Sequence, residues 1–551
     1  MKTVKLFAPA TLLALTFQGC SKPNIIFFLV DDYGWSETSV PFGEEVYPRN
    51  LMFETPNMQR LADKGVIMTR AYACPVSTPT RTSIMTGMNA AASRITTWTS
   101  FYKDNPSDAG TGVNGRCVYG GTTRFGIPDW NWNGVCPEGM ESPDLEHAQV
   151  ATPLVTHLKD KGYYTVHVGK AHWAPSGTPG SNPYNMGFDL NIAGSAAGSP
   201  RSYLGEDNYG QAYGKWSNYA VQNLCEYYGT DTFLSEALTR EALKALDYPV
   251  SRRQPFYLYM AHYAVHTPIM PDMRYYDKYK AMGLDDKQAA YSSMVESVDK
   301  SLGDIMDYLD AKGIADNTII VFMSDNGGHT IDQAKGGETG THNLPLRGGK
   351  GSCYEGGIRV PLMFYWPGKT AAGTRLSTPV SAEDMYPTLL EMAGIRNYST
   401  VQHIDGQSLV RLITKGSQYQ AKAIRKGEIN TMREATRFHI PESVSGIDPD
   451  RPLVYHYPHQ YKWYEVDWVD FMSTVVCGDW KLVYKMLTGT HELYNLSEDI
   501  GEQNDVSAMY PEKVKELSAV LSERLRSWNA AMPSDTLTGQ RALYADEALE
   551  Q

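Results

Sequence analysis

Ser77, Pro79 and Arg81 stand at alternate positions in the run Ala73-Cys74-Pro75-Val76-Ser77-Thr78-Pro79-Thr80-Arg81-Thr82-Ser83-Ile84-Met85-Thr86-Gly87. The small residues that follow Pro79 predict a helix opening at Ser77. Arg81, four residues on, then lies one turn away on the same face. A hydroxyl, a guanidinium and the positive end of a helix together make an anion site with a nucleophile in it. The same residues would also suit a capped surface turn. Cys74 does not repeat the pattern, because Val76 rather than proline lies two residues on.

Further polar clusters follow apolar runs. Asp31-Asp32 ends the run Asn24–Val30, and Asp325-Asn326-Gly327-Gly328 follows Thr318–Met323. Adjacent acids after a buried strand are costly unless paired or metal-bound. All of these are oxygen donors, so a hard divalent cation fits, Ca²⁺ foremost. Gly169-Lys170-Ala171-His172 follows Tyr163–Val168, and His266-Thr267-Pro268 follows the strand that begins at Pro255. Arg347-Gly348-Gly349-Lys350-Gly351 precedes Tyr354-Glu355-Gly356-Gly357-Ile358-Arg359. Lysine and histidine beside glycine suit an anion pocket, where the backbone can approach closely.

The elements that must position these groups alternate. Helices are predicted over Thr55–Lys64, Thr152–Lys161, Asp231–Leu246, Asp286–Lys312 and Pro511–Trp528. Strands are predicted over Asn24–Val30, Tyr163–Val168, Pro255–Met260 and Thr318–Met323. The expected fold is α/β, a large mainly parallel sheet covered on both faces, with ligands at the carboxyl ends of its strands. Segments 99–148 and 194–230 read as long loops. Residues 24–400 would form the catalytic unit and 401–440 an irregular connection. Residues 441–551 would form a smaller C-terminal α+β unit, with short strands at 479–485 and 492–496.

Hydrophobic residues make up 42% of the 551 and charged residues 20%, an ordinary globular balance. The formal charge of −12 argues against general binding to nucleic acid or other polyanions. Lys2 and Lys5 precede an apolar stretch ending at Gln18-Gly19-Cys20, so residues 1–20 read as an export signal of lipoprotein type with Cys20 lipidated. Cleavage without lipidation is the alternative, since Phe17 stands where leucine is usual. No zinc-like Cys-x-x-Cys pair is present; Cys117 and Cys136 could bridge a loop.

Taken in order, Asp-Asp, Ser-x-Pro-x-Arg, Gly-Lys-x-His, His-Thr-Pro, Asp-Asn-Gly and Gly-Gly-Lys resemble the formylglycine-dependent type I sulfatases of the alkaline phosphatase superfamily. Gly162–Lys170 is similar to that family's second signature, and Glu492–Asp499 with Glu502 and Asn504 extends the likeness. The resemblance implies that Ser77 is oxidised to formylglycine. One hydroxyl of the aldehyde hydrate attacks sulfur, and the other is deprotonated so that the hydrate collapses and expels sulfate, avoiding a stable serine sulfate. It implies Ca²⁺ held by Asp31, Asp32, Asp325, Asn326 and the modified Ser77. It also implies that Arg81 and His172 orient the hydrate, with His172 a candidate base. Lys170 and Lys350 would bind sulfate, with Lys335 a rival for the latter. His266 would protonate the leaving oxygen, although the two histidines could exchange roles.

Serine rather than cysteine at position 77 resembles the anaerobic radical-SAM maturation route, which acts before export. A periplasmic or outer-membrane-anchored enzyme of an anaerobic bacterium is expected. The expected substrate is a sulfated carbohydrate attacked from its end: galactose, N-acetylgalactosamine or N-acetylglucosamine of mucin or glycosaminoglycan. Trp130, Trp132, Tyr203, Tyr209, the run Tyr455–His459 and Trp463 could stack on sugar or simply pack their loops. A phosphate-ester hydrolase with two zinc ions, or a non-catalytic glycan-binding relative, are the other readings.

Overall fold

A computed structural model describes residues 22–104, 125–126, 129–141, 145–330, 332–459, 470–535 and 537–551. The expected leader with Cys20, Cys117 and Trp463 lie outside the described residues.

Asn24–Val30 forms strand β1, buried on both faces along its whole length. Its alternate residues serve two different cores, as a period of two requires. Ile26, Phe28 and Val30 face a core shared with helices Leu234–Ser251 and Asp286–Ala311, while Ile25, Phe27 and Leu29 face one shared with Ile84, Met85 and Leu389. The other strands of the large sheet are β2 (Val66–Met68), β3 (Tyr164–Gly169), β4 (Leu190–Ile192), β5 (Phe256–Ala261), β6 (Thr318–Ser324), β7 (Leu362–Tyr365) and β8 (Thr374–Leu376). Their order is β8-β2-β7-β6-β1-β5-β3-β4. Only β7 runs against the rest, pairing antiparallel with both β6 and β2. The expected α/β architecture is the observed one.

Register sets up the chemistry. Val30 pairs with Ser324, Leu29 with Ala261, and Gly169 with Ala261. The residues after these pairs (Asp31, Asp325, His262 and Lys170) therefore emerge side by side at one edge. Gly169 sits at φ 94°, and a Cβ there would lie 1.9 Å from the carbonyl oxygen of Ala261. Glycine is required at that close approach.

The C-terminal unit is an antiparallel meander of β9 (Leu453–Tyr457), β10 (Met472–Cys477), β11 (Trp480–Lys485) and β12 (Thr490–Asn495). One face packs on helix Pro511–Ser527 through Val475, Leu482, Leu517 and Leu521. The other packs on the catalytic unit through Tyr72, Ile358, Tyr455 and Val483. Within that junction Lys481 Nζ lies 2.9 Å from Glu355 and 2.8 Å from Glu502, with all three side chains buried. Arg359 and the hydroxyl of Tyr72 also reach Glu355, each at 3.1 Å.

One expectation is corrected. The stretch 401–440, read as irregular, carries a helical turn over Leu412–Gly416 and helices Ser417–Arg425 and Met432–Arg437. The buried face of Ser417–Arg425 includes Ser417 and Gln420, so no apolar period betrays it. Gln420 instead bonds the backbone of Arg375, accepting from its N–H at 2.7 Å and donating to its carbonyl at 2.6 Å.

Candidate active site

The helix Ser77–Thr86 begins at the predicted residue, and all ten of its residues are buried. Gly87 closes it at φ 70°, where a side chain would press on Tyr386 and Ile404. This helix points its N-terminus at the edge where β1, β3, β5 and β6 end. Ser77, only 3% exposed, donates from Oγ to Asp31 Oδ1 at 2.9 Å and lies 3.2 Å from Asn326 Oδ1. Lys170 Nζ donates to Asp31 Oδ2 at 2.6 Å and to Ser77 Oγ at 3.1 Å. Arg81 grips Asp325 Oδ2 through Nε at 2.9 Å and Nη2 at 2.8 Å. Its Nη1 donates to the carbonyl of Lys170 at 3.1 Å.

Asp32 adopts φ 56°, an unusual conformation for a non-glycine residue. The strain turns its carboxylate toward Lys350, whose Nζ lies 2.8 and 2.9 Å from the two oxygens. Asn326 Nδ2 donates to Asp32 Oδ1 at 2.9 Å. His266 Nε2 stands 3.8 Å from Asp32 Oδ2, with 18% of its side chain exposed. His172, also in the left-handed region at φ 54°, lies beside Ser77's neighbour. Its Nε2 is 3.1 Å from the carbonyl of Thr99, which can only accept, so that nitrogen carries the proton. Nδ1 is then the basic nitrogen, and Thr78 Oγ1 donates to it at 3.2 Å.

One oxygen from each of Asp31, Asp32 and Asp325 can be chosen so that all lie within 4.8 Å of one another. Burial, then the charge of Asp325, pushes the Asp31 carboxyl up to about 8. Burial opposes charge on Asp32 and Asp325 as well. There Lys350 and Arg81 respectively prevail and hold each below the usual carboxylate range. Burial and Lys350 lower His266 to about 3, and burial and Lys170 hold His172 far below its ordinary value. Both histidines are neutral at pH 7.

All the sequence-predicted site residues converge. Between the rival lysines, Lys350 reaches the cluster, while Lys335 is buried against Glu37 at 2.8 and 3.0 Å. Two residues were missed. His329 is buried close enough to Asp32 to feel its charge, and its place just after Asp-Asn-Gly-Gly was the available signal. Asn343 carried none. Its Nδ2 donates to the carbonyls of Gly328 at 2.8 Å and Gly348 at 3.0 Å, tying the Asn326 turn to the Lys350 loop.

Residues 23–395 match the family model described as Sulfatase. The chain belongs to the sulfatase family. It is a sulfuric ester hydrolase of type I with an alkaline phosphatase-like fold. This sulfatase is 28% identical over 556 residues to a sulfatase of Formosa agariphila, across 92% of this chain and 88% of that one. It is 28% identical over 531 residues to the N-acetylgalactosamine-6-sulfatase of Homo sapiens, across 93% and 87%. Among solved structures it resembles Ps i-CgsB in complex with k-i-k-neocarrahexaose. The TM-score is 0.63 at 26% identity, over 92% of this chain and 93% of that one.

Of the two readings open for the loop aromatics, sugar stacking and loop packing, the structure shows packing for Trp130, Trp132, Tyr203 and Tyr209. Trp130, Tyr203 and Tyr209 are buried, and Trp132 packs on Trp130 and His147. The hydroxyl of Tyr203 donates to the carbonyls of Tyr263 at 2.7 Å and His266 at 2.8 Å, so this residue supports His266 from behind. Tyr455 and Tyr457 lie on β9 and pack the junction, His456 faces the other way and bonds Ser473 Oγ and the carbonyl of Ala531, and His459 Nε2 meets Thr96 Oγ1 at 2.8 Å.

Proposed function

We propose that this sulfatase removes sulfate from the terminal sugar of a sulfated glycan, using formylglycine made from Ser77 and one Ca²⁺. The sugar would be galactose, N-acetylgalactosamine or N-acetylglucosamine. The observation that carries the reading is Ser77 itself, a hydroxyl at a helix N-terminus held between a buried carboxylate, a buried amide oxygen and a buried ammonium. The similarity to N-acetylgalactosamine-6-sulfatases supports a sugar sulfate.

The residues present fit the cation. Asp31, Asp32, Asp325, Asn326 and residue 77 can each turn an oxygen to a cation, and the burial and Asp325 charge that raise Asp31 are what a divalent charge would offset. Bound there, Ca²⁺ would supply charge that polarises the sulfate and steadies the hydrate. Arg81, Lys170 and Lys350 offset part of the charge of the three buried carboxylates, so an added double charge suits an anionic ester and an anionic nucleophile together.

Lys170 and Lys350 hold sulfate oxygens and meet the charge that develops on them. Arg81 fixes Asp325 and the start of the His172 segment. His172 takes the proton for the collapse step at Nδ1, with Thr78 beside it. His266, the more exposed histidine, faces the departing sugar oxygen. Burial and Lys350 keep it neutral at pH 7, and the negative sulfate is what favours a proton on it. A radical-SAM maturation enzyme would oxidise Ser77, and an export signal with a lipid on Cys20 would place the enzyme in the periplasm or at the outer surface of an anaerobe.

The test uses purified protein with sulfate and phosphate esters in parallel, and peptide mass spectrometry at position 77. Sulfate release with formylglycine at 77 is expected; full activity from unmodified Ser77, or phosphate release with two bound zinc ions, would end the reading. His266→Ala should lose far more kcat/KM on a sulfated sugar than on 4-nitrophenyl sulfate, whose leaving group needs no acid. Equal loss on both would move the acid role to His172.

A further inference from the structure

We infer that an aromatic and cationic platform beside His172 binds the sugar next to the one being desulfated, and that this neighbour carries a carboxylate or sulfate of its own. The inference rests on the function proposed above and adds the second subsite.

Both backbone segments that build the platform leave from His172. The first is Thr99–Tyr102: Thr99 O accepts from His172, and its N–H donates to Thr78 Oγ1 at 3.3 Å. The second is 195–201. Ser195 O accepts from His172 N at 3.2 Å, and a Cβ on Gly198 would stand 2.4 Å from the imidazole ring. Two and three residues beyond Thr99 come Phe101 and Tyr102, so Tyr102 lies at most about 11 Å of chain from the catalytic edge. That is the reach of the next sugar along a chain.

There the two segments meet. The ring of Phe101 stacks edge-on to Tyr102 at 5.3 Å and lies 5.7 Å from Tyr219. Asn218 donates its amide to the hydroxyl of Tyr102. Arg201 donates its backbone N–H to Tyr219 O at 2.7 Å, and its guanidinium lies 4.9 Å over the ring of Tyr213. Tyr102 is 56% exposed, and Tyr213 and Tyr219 are each 39% exposed. These rings are held by contacts at one edge and offer the remainder to solvent.

The chemistry selects the occupant. Tyrosine presents an apolar face and a hydroxyl, which matches a pyranose ring with its polar rim. An exposed arginine placed over a tyrosine ring offers a fork of donors to a planar or tetrahedral oxyanion. Carboxylate and sulfate share that chemistry, so a uronate or a second sulfate ester on the adjoining sugar would serve. Trp130, Tyr203 and Tyr209, whose aromatic rings could have stacked on sugar or packed their loops, are buried and leave this role to the exposed rings.

The test compares three substrates: 4-nitrophenyl sulfate, N-acetylgalactosamine 6-sulfate, and a chondroitin-derived trisaccharide with that sugar at its non-reducing end. Wild type should show higher kcat/KM on the trisaccharide than on the monosaccharide. Tyr102→Ala and Arg201→Gln should each lower the trisaccharide value about 3- to 10-fold, through KM. Both should leave the two small substrates within about twofold. Arg201→Gln should lose nothing further on a trisaccharide whose uronate is reduced to the neutral alcohol. Equal losses on all three substrates, or no preference for the longer chain in wild type, would overturn the inference. Calorimetry with the desulfated trisaccharide needs no turnover. Binding that Tyr102→Ala weakens supports the platform even if the sulfatase chemistry proposed above fails, and absence of binding in wild type rejects it.

Discussion

Asp31, Asp32 and Asp325 at the catalytic edge, and Glu355 and Glu502 at the C-terminal junction, are all carboxylates shut away from water beside buried cations. They differ in where their partners come from. At the junction, Lys481 from one unit is clasped by Glu355 and Glu502, and Arg359 completes the balance. Every charge there is spent on joining two parts of the chain. At the catalytic edge, four strand ends and one helix bring their charges to a single point. Burial, then the charge of Asp325, pushes the Asp31 carboxyl up to about 8. Glu502 at the junction is pushed up as well, to about 7, so a raised carboxyl does not by itself mark a site; the catalytic edge differs in opening toward solvent beside the partly exposed His266, whereas the junction is sealed.

The largest expected effect breaks the comparison at the catalytic edge. Asp31→Asn should cut kcat/KM by about a thousandfold or more, because the carboxylate that accepts from both Ser77 and Lys170 is lost. The melting temperature of metal-free protein should fall less than in a junction variant, since removing this charge also removes its repulsion with Asp325. A calorimetric loss as large as that of a junction variant would refute the distinction.

Lys481→Met is the converse. Removing one partner from a buried charge cluster costs about 3–5 kcal/mol, because Glu355 and Glu502 are left uncompensated. The melting temperature should fall by several degrees, while kcat on 4-nitrophenyl sulfate in the surviving folded enzyme stays close to wild type. Loss of kcat at unchanged stability would mean the junction belongs to the site.

The smallest effect is a slope. Burial pushes Glu502 up to about 7 although Lys481 opposes it. Its folded value lies above its unfolded one, so the stability it contributes is full below about pH 4 and is lost as pH rises through about 7. Glu502→Gln should therefore flatten the decline in melting temperature between pH 5 and 8. An unchanged slope would assign the titration to another group, with Glu383, also pushed up to about 7 by burial, the first to examine.

The ligand cluster was legible because each polar group directly follows a long apolar run. Asn24–Val30 is a strand at the predicted limits, and Asp31 had nowhere to go but the strand's end. The strands Val66–Met68, Leu362–Tyr365 and Thr374–Leu376 were not legible, since three or four residues carry too little periodicity. The helices within 401–440 escaped because amides and hydroxyls, not apolar side chains, make their inner contacts. Tyr203 and Tyr209 left two readings open for a related reason. In a polar loop an aromatic reads as exposed, yet both hydroxyls find backbone carbonyls inside the protein, Tyr209 at Thr232 O, 2.9 Å away. Asn343 is the extreme case: its role exists only where two glycine turns, each distant in sequence from the nucleophile, lie against one another.

The single reversed strand, Leu362–Tyr365, has a consequence for how such a site can change. After Asp325 a parallel connection would have to carry the chain back across the sheet before the next strand. Because Leu362–Tyr365 runs the other way, the chain leaves one strand and enters the next at the same edge. The whole span 325–361, with Asn326 at its beginning, Lys350 within it and Glu355 fastened to Lys481 near its end, is a hairpin connection resting on the catalytic rim. Within it, among the described residues, only the exposed turn at Gly337 and Glu338, between the buried Lys335 and Asn343, can change in length without disturbing a side chain that braces the site. The scaffold thus keeps its chemical anchors on both sides of a short turn that is free to be rewritten for a different ester.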